Sequence, residues 1–489
     1  MPPAISRRAL LRGAAGWTTL AASGGGTALL LAGCDGDPPP VASPTSSTAP
    51  LGLRFPDRFA WGASTSAYQI EGAAAEDGRG PSVWDTFSHT PGRVRGGDTG
   101  DVAADHYHRM PADLDLMKGL GLQSYRFSIS WSRVLPTGRG AVNPKGLDFY
   151  KRLVDGLGER GIAAVATLFH WDLPQALQDR GGWENRDCAG WFADYAEVMF
   201  DGLGDRVGTW LTLNEPKTVV DVGYRFGAHA PGFRDEHRAF VAAHHLLLAH
   251  GRAVQAFRAS GRGRIGPALN LAPAYPDDEG DQASKAAAEL ADGYENRLYL
   301  DPILKGAYPT DVLDDIGPAA PMRAAIRDGD LDVIGSKVDV LAIQYYNPVF
   351  VAAGGRYVSK LDTSDATWQQ IHPPGFFDIL TRVKHDYGDI PLIITENGRP
   401  SADRVGSDGR VDDPARVQFL RDHLAAAHRA IQAGVRLEAY HLWSLMDNFE
   451  WAEGYGQRWG IVYVDFKSQR RIEKTSARWY REVIARNGI

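Results

Sequence analysis

The chain of 489 residues is predicted to be an α/β protein, a single (β/α)8 barrel of the TIM type. Eight short runs of apolar or β-branched residues recur along it, the pattern of parallel strands buried on both faces. Helix-like sequence alternates with these runs, and no internal repeat divides the chain. Length alone suggests about three domains, but barrels with insertions exceed about 400 residues as one unit.

The predicted elements follow one another in strand-then-helix order. Strands are expected at residues 59–63, 124–130, 162–169, 209–213, 264–271, 338–345, 392–395 and 437–444. Helix-like segments between them lie at residues 111–120, 144–160, 189–203, 240–259 and 414–433. Eight such units predict one closed barrel.

Polar or aromatic residues stand in or just after every predicted strand. In chain order they are Gln69, Arg126, His170 with Trp171, Asn214 with Glu215, Asn270, Tyr346, Glu396 and Trp443. A closed barrel brings the C-terminal ends of its strands to one face, where barrel enzymes keep their chemistry. We therefore expect these side chains to surround one pocket.

Two of these residues, Glu215 and Glu396, carry the strongest chemical signal. Each stands where an apolar or β-branched run is broken by a proline or a glycine, so each is placed where a strand enters a loop. A lone glutamate there is usually a solvated carboxylate. As a pair, the two carboxyls match glycoside hydrolysis, in which one acid protonates the leaving oxygen and one anion attacks or stabilises an oxocarbenium-like centre.

The two glutamates lie in short motifs that resemble those of a known family. Glu215 lies in Thr-Leu-Asn-Glu-Pro and Glu396 in Ile-Thr-Glu-Asn-Gly. In this order they resemble the acid/base and nucleophile motifs of the retaining β-glycosidases of glycoside hydrolase family 1. The resemblance spans residues 55–488 and implies that Glu215 is the acid/base and Glu396 the nucleophile.

The resemblance also implies a set of substrate contacts. Residues that would hydrogen-bond the hydroxyls of the first sugar are Gln69, His170, Asn214, Glu450 and Trp451. Trp443 would lie beneath the sugar ring, and Trp368 would line the subsite of the leaving group, the aglycone. Arg126 and Tyr346 would hold the carboxylate of Glu396, and Tyr346 would also contact the substrate.

Catalysis by this pair needs two different protonation states. A nearby Arg126 guanidinium favours the anion of Glu396. The Glu396 anion should in turn raise the pKa of Glu215 and keep it protonated. When Glu396 becomes a neutral glycosyl ester that repulsion disappears, and Glu215 can deprotonate a water.

Four residues depart from the usual pattern of the family. Gln344 stands where asparagine is usual, Arg399 and Pro400 stand where small residues are usual, and Trp459 stands where phenylalanine is common. Both glutamates are intact. The departures therefore concern specificity and the shape of the pocket mouth rather than the reaction.

The first fifty residues are interpreted as a targeting segment rather than as part of the folded domain. Ser-Arg-Arg-Ala-Leu-Leu, from Ser6, resembles a twin-arginine export signal, and a Gly- and Ala-rich stretch without charges follows it. Leu-Ala-Gly-Cys, ending at Cys34, looks like a bacterial lipobox. We expect a signal with lipobox at residues 1–34, a disordered Pro/Ser/Thr-rich tether at 35–52 and the catalytic barrel at 53–489.

This leader predicts a bacterial cell-surface lipoprotein, exported by the twin-arginine route. It would contact the membrane only through the lipid on Cys34. The alternatives are an uncleaved apolar anchor and a chance cysteine. Cys188 is the other cysteine of the chain, so no internal disulfide can form beside a lipidated Cys34.

Composition argues against several other classes of protein. A net charge of -7 and a pI near 6.1 leave no basic footprint for nucleic acid. The histidines at His106 and His108, and at His244, His245 and His250, lack metal-ligand spacing with a matching acidic partner, so neither metal nor cofactor is predicted. Most of the 13 tryptophans are expected in the core, although such rings also bind sugar C–H faces.

We predict a retaining exo-β-glycosidase, specifically a β-glucosidase, that acts on small β-glycosides or short β-linked oligosaccharides. A 6-phospho-β-glycosidase is disfavoured because Glu450 would repel the phosphate and because sugar phosphates are mainly cytoplasmic. A sugar-binding lipoprotein on an inactive barrel is disfavoured because both glutamates are present. The residues leave open the aglycone and the preference among glucosides, galactosides and fucosides.

Overall fold

The computed structural model describes residues 50–317 and 320–489, and in that part of the chain eight parallel strands close into a barrel. The strands of the whole described chain are β1 Ala60–Ser64, β2 Ser124–Ser128, β3 Ala163–Phe169, β4 Thr209–Asn214, β5 Arg264–Asn270, β6 Ala274–Pro276, β7 Leu341–Gln344, β8 Val349–Ala352, β9 Arg356–Val358, β10 Leu392–Glu396, β11 Leu437–Trp443, β12 Val462–Asp465 and β13 Arg470–Glu473. The barrel runs β1-β2-β3-β4-β5-β7-β10-β11 and returns to β1.

The helices lie between these strands and after the last of them. They are α1 Ala67–Ile70, α2 Val83–Ser88, α3 His106–Gly119, α4 Trp131–Val134, α5 Pro144–Glu159, α6 Gln175–Gln178, α7 Asp187–Leu203, α8 Pro216–Thr218, α9 Glu236–Ser260, α10 Gln282–Asp292, α11 Leu298–Lys305, α12 Thr310–Ile316, α13 Pro321–Ala325, α14 Asp330–Ile334, α15 Pro373–Tyr387, α16 Pro414–Gln432 and α17 Thr475–Arg486. Two π-helical segments, Val219–Arg225 and Gly293–Arg297, follow α8 and α10. Strands β6, β8 and β9 form a small sheet beside the barrel, and β12 pairs with β13.

The predicted fold class is confirmed, and every predicted strand overlaps one barrel strand. Two helix starts were predicted more than one helical turn too late. The helix expected at residues 240–259 begins at Glu236. The helix expected at residues 111–120 begins at His106, so that Pro111 lies inside α3. Proline usually marks the first turn of a helix because it lacks an N–H, and this signal placed the start too late.

Apolar side chains close the barrel interior below its C-terminal face. One layer of strand residues packs together there: Val165, Leu211, Ala268, Val340, Ala342, Ile393 and Ala439. Several tryptophans are fully buried in the core, as expected: Trp61, Trp84, Trp131, Trp183 and Trp210. The functional face therefore rests on a packed base.

A buried ionic cluster fixes the segment that follows β11. Lys474 Nζ lies 2.5 Å from Asp403 Oδ2 and 2.6 Å from Asp447 Oδ1, and all three side chains are at most 1% exposed. Arg458 Nη1 also lies 2.7 Å from Asp447 Oδ2. Removing one partner would leave a buried charge unpaired, which costs about 3–5 kcal/mol. The cluster thus holds the chain that leads to Glu450.

The described chain begins beside its C-terminus. Leu53 and Ile489 exchange two backbone hydrogen bonds of 3.0 Å. Asn487 Oδ1 accepts from Trp61 Nε1 at 2.8 Å, near the start of β1, so Leu53 and Ile489 lie at the N-terminal face of the barrel. The predicted signal, with Cys34, lies outside the described residues. Within the described ranges, no helix combines the length and apolar character needed to cross a bilayer.

Candidate active site

A cavity of about 280 Å³ opens at the C-terminal ends of the barrel strands. The predicted site residues that line it are His170, Glu215, Tyr346, Trp368, Glu396, Trp443, Glu450 and Trp451. Gln69, Arg126 and Asn214 are fully buried and contact these residues from behind. A cavity of about 510 Å³ at the opposite face has neither glutamate in its lining.

Glu396 ends β10 and is held by three donors. Arg126 Nη1 donates to its Oε1 at 2.5 Å, and Gln344 Nε2 donates to the same oxygen at 2.8 Å. The Tyr346 hydroxyl donates to its Oε2 at 2.7 Å. The expected contacts of Arg126 and Tyr346 with Glu396 are therefore present in the structure, and hydrogen bonds of this kind stabilise a carboxylate anion.

Glu215 directly follows β4, with a backbone φ of 44°. This left-handed conformation is rare for residues other than glycine, and such strain concentrates at functional sites. Two other pocket residues share it, Trp171 at φ 75° and Trp451 at φ 49°. The Thr218 hydroxyl donates to Glu215 Oε2 at 2.7 Å, and Asn270 Nδ2 donates to that hydroxyl oxygen at 3.2 Å.

The two glutamates differ in their electrostatic surroundings. Burial, followed by the charge of Glu396, raises the pKa of Glu215 to about 8. Burial also raises the pKa of Glu396, but the Arg126 charge and the Tyr346 hydrogen bond oppose this. The sequence predicts the charge of Glu396 as the cause for Glu215, whereas in the structure the larger cause is burial.

Asn214 and His170 form a network whose donors can be assigned from their partners. Arg126 Nη2 and Gln344 Nε2 both donate to Asn214 Oδ1, at 2.5 and 2.6 Å. The Asn214 amide nitrogen lies 3.0 Å from His170 Nε2. Burial holds the pKa of His170 well below its usual range, so the ring is neutral and Nε2 accepts. Its Nδ1 then carries the proton and has no partner among the described residues.

Gln69 and Glu450 meet at another part of the pocket. Gln69 Nε2 donates to Asn448 Oδ1 and to the Phe449 carbonyl oxygen, both at 3.0 Å. Glu450 Oε2 lies 3.5 Å from the same nitrogen. Burial, followed by the charge of Glu396, raises the pKa of Glu450 to about 8. Glu450 thus adds another carboxyl group to the cavity that Glu215 and Glu396 line.

Aromatic rings form the apolar part of the lining. The rings of Trp443 and Trp451 stack against His170, with centroids 6.0 and 5.9 Å away. Trp368 and Trp459 stack on each other at 6.0 Å. Aromatic faces of this kind suit the C–H faces of a pyranose.

A glycine brings Trp443 close to the strand that carries Glu396. A Cβ atom at Gly398 would lie 1.8 Å from the Trp443 carbonyl oxygen, so no other residue fits there without a shift of the backbone. This explains the glycine of the Ile-Thr-Glu-Asn-Gly motif in physical terms.

Some functional contacts were not predicted from the sequence. Gln344 was noted only as a departure from the family pattern, yet it donates to both Glu396 and Asn214. Thr218, three residues after Glu215, was not considered. Side chains three residues apart at the start of a helix are neighbours, so this spacing could have indicated the contact between Thr218 and Glu215. In residues 50–317 and 320–489, no group of three or more His, Cys, Asp and Glu side chains is arranged to hold a metal ion.

The barrel and its buried carboxyl pair define a protein of the glycoside hydrolase class. Comparison with protein families assigns residues 52–489 to the model described as glycosyl hydrolase family 1. The chain therefore belongs to glycosyl hydrolase family 1.

Individual relatives are similar over most of their length. The β-glucosidase A of Acetivibrio thermocellus is 47% identical over 448 residues, which cover 89% of this chain and 99% of the relative. A bifunctional β-D-glucosidase/β-D-fucosidase of Bifidobacterium breve is 44% identical over 458 residues, 88% of this chain and 98% of the relative. The solved family 1 β-glucosidase of Thermotoga maritima matches with a TM-score of 0.86 at 46% identity, over 89% of this chain and 99% of that one.

Proposed function

We propose that this protein is a retaining, exo-acting β-glucosidase in which Glu396 is the nucleophile and Glu215 the acid/base. The observation that carries the assignment of roles is the unequal environment of the two carboxyls. Glu396 accepts from a guanidinium, an amide and a phenol, which favour its anion. Glu215 accepts one hydrogen bond from the Thr218 hydroxyl. Burial and the charge of Glu396 nevertheless raise its pKa to about 8, so the acid form of Glu215 is favoured at neutral pH.

In the first half of the reaction, the carboxylate of Glu396 attacks the anomeric carbon of the sugar. Glu215 gives its proton to the glycosidic oxygen, and the bond from that oxygen to the anomeric carbon breaks. The aglycone leaves as an alcohol. The sugar remains bound to Glu396 as an ester.

In the second half, water replaces the aglycone. The ester removes the negative charge of Glu396, which is one of the causes that raise the pKa of Glu215. The Glu215 carboxylate takes a proton from the water, whose oxygen attacks the anomeric carbon and frees Glu396. Two displacements restore the β configuration.

The remaining pocket residues hold the sugar. The Asn214 amide nitrogen is proposed to donate to the 2-hydroxyl, a bond that tightens in the transition state. Gln69, His170, Glu450 and Trp451 would bind the other hydroxyls, and Trp443 would support the ring. The bifunctional Bifidobacterium relative supports β-fucosides as a second group of substrates.

The stereochemistry of the first product tests this function. Proton NMR of fresh hydrolysate should show β-glucose before mutarotation. A 2-deoxy-2-fluoro-β-glucoside with a good leaving group should leave a sugar ester on Glu396, which peptide mass spectrometry would locate. Initial α-glucose, or a label on another residue, would contradict the assignment.

We also propose that the leader exports the enzyme by the twin-arginine route and anchors it through a lipid on Cys34. The support is the twin-arginine and lipobox resemblance of the sequence. Leu53 lies at the N-terminal face of the barrel, opposite the pocket, so a tether arriving there would leave the pocket open to solvent. Membrane fractionation of a Cys34 variant tests this anchor.

A further inference from the structure

A polar wall continues the pocket outward from Glu215. It consists of Lys217, Asp221, Asn270, Glu295 and Tyr357, all of which line the cavity. Lys217 Nζ lies 2.6 Å from Glu295 Oε2, and the two side chains are only 12% and 16% exposed. The Tyr357 hydroxyl donates to Glu295 Oε1 at 2.9 Å. The ion pair is thus largely shielded from solvent and fixed at both carboxylate oxygens.

The two π-helical segments place this pair. Lys217 lies two residues before the Val219–Arg225 segment, and Glu295 lies inside the Gly293–Arg297 segment. π-Helical turns are rare and occur frequently at functional sites. The pair thus joins α8 to the π-helical segment that follows α10, and Tyr357 of β9 completes the contact.

The wall reaches the atoms that surround the acid/base. Thr218, the residue after Lys217, donates to Glu215 at 2.7 Å and accepts from Asn270 Nδ2 at 3.2 Å. Asn270 Oδ1 is buried and accepts no hydrogen bond from the described residues. An acceptor of this kind, beside the acid that protonates the leaving oxygen, suits a hydroxyl on the leaving group.

The chemistry of the wall favours one kind of aglycone. Sugar hydroxyls both donate and accept, so they can bind the Lys217 ammonium, the Glu295 carboxylate and the Asn270 amide oxygen. An aryl or alkyl group would displace the water bound to the ion pair and would offer no hydrogen bonds in its place, which is unfavourable. Anionic aglycones would be repelled by the carboxylates of Asp221 and Glu295.

We propose that Lys217 and Glu295 form a leaving-group subsite that selects a hydroxylated aglycone, a second β-linked sugar, over an aryl or alkyl group. The inference rests on the proposed β-glucosidase function and extends it to the leaving group. The ring stack of Trp368 and Trp459 supplies an apolar face elsewhere in the same lining. Polar and aromatic surfaces together match the two kinds of surface on a pyranose.

The test compares cellobiose with hexyl β-glucoside in the intact enzyme. Both aglycones leave as alcohols whose oxygen must be protonated by Glu215, but only the aglycone of cellobiose offers hydroxyls to the polar wall. In Lys217→Met and Glu295→Gln, kcat/KM for cellobiose should fall about 10- to 100-fold, the effect of losing a charge-assisted hydrogen bond. The hexyl glucoside should change by less than about threefold.

Two controls separate this role from others. Lys145→Met removes a lysine whose carboxylate partner, Asp77, lies 2.7 Å away at an exposed site, and it should leave both substrates unchanged. Lys217→Arg keeps the charge and should retain most of the cellobiose activity. Thermal unfolding shows which variants are destabilised by loss of the ion pair, and the two kcat/KM values are compared at a temperature where every variant is folded.

The outcomes distinguish the subsite from the underlying function. An equal fall for both substrates means that the pair acts through Glu215 and overturns the proposed selectivity. A wild type that hydrolyses neither glucoside overturns the proposed function itself, and this inference with it. A selective loss on cellobiose supports both.

Discussion

The side-chain amide of Gln344 donates to Glu396 Oε1 at 2.8 Å and, from the same nitrogen, to Asn214 Oδ1 at 2.6 Å. Arg126 donates to the same two oxygens. The four side chains form a closed ring that fixes Asn214 Oδ1 as an acceptor. The Asn214 amide nitrogen donates one N–H to His170 and keeps a second N–H for the substrate. A residue that departs from the family pattern therefore couples the proposed nucleophile to the residue assigned to the 2-hydroxyl.

Gln344→Met keeps the length of the side chain and removes both hydrogen bonds. We expect kcat/KM for p-nitrophenyl β-glucoside to fall about 10- to 100-fold, because a donor to an ionised carboxylate contributes about 1.5–3 kcal/mol. The acid limb of the pH profile should move to higher pH, since the anion of Glu396 loses a donor. An unmoved acid limb would mean that Gln344 only fills space.

Glu215→Ala should separate the two half-reactions. A dinitrophenyl β-glucoside has a leaving group that needs little protonation, so formation of the glycosyl ester should survive. Hydrolysis of the ester should become slow, and azide should restore turnover with a β-glucosyl azide as product. Without azide, Glu396→Ala should show no turnover of the dinitrophenyl substrate, because the covalent route has lost its nucleophile. Absence of any azide product would exclude Glu215 as the acid/base.

The pH dependence follows from the opposite protonation states of the pair. Activity should rise as Glu396 ionises and fall as Glu215 loses its proton, with an alkaline limb near the pKa of about 8. Glu450 also has a pKa of about 8, so two variants are needed to show which of the two glutamates causes the alkaline limb. In Glu450→Gln the alkaline limb should persist. In Glu215→Ala, the rate of ester formation from the dinitrophenyl substrate should no longer fall at alkaline pH.

Glu450→Ser tests the first sugar subsite. If Glu450 binds the 4- and 6-hydroxyls, kcat/KM for p-nitrophenyl β-glucoside should drop about 10- to 100-fold. The β-fucoside lacks the 6-hydroxyl and should lose less. Above a pH of about 8, where Glu450 is ionised, the 6-phosphoglucoside should gain because a repelling carboxylate is gone. Equal losses on all three substrates would show that Glu450 serves only to support Trp451.

Cys34→Ser tests the proposed lipid anchor. The variant should move from the membrane fraction to the soluble fraction with unchanged kcat/KM, because the tether separates the anchor from the barrel. Replacing Arg7 and Arg8 by lysines should block export, since the twin-arginine receptor recognises the guanidinium pair. Membrane retention of Cys34→Ser would point to an uncleaved apolar anchor.

The barrel and its two central glutamates can be predicted from local patterns in the chain. Strand runs such as residues 209–213 and 392–395 are local patterns, and barrel closure brings their ends together wherever the loops run. Glu215, Glu396, Arg126 and Tyr346 could therefore be placed in one pocket from the sequence alone. The position of each of these residues follows from the strand that carries it.

Contacts between distant segments and the depth of burial, by contrast, depend on how the whole chain packs. Lys217 and Glu295 are 78 residues apart in the chain and meet only in the folded protein, and no local pattern in the chain indicates that pairing. Gln344 reaches two partners through side-chain geometry that strand assignment does not specify. Burial, rather than the neighbouring charge, is the larger cause of the raised pKa of Glu215. The cost of removing a charge from water depends on everything packed around it, which a linear sequence does not display.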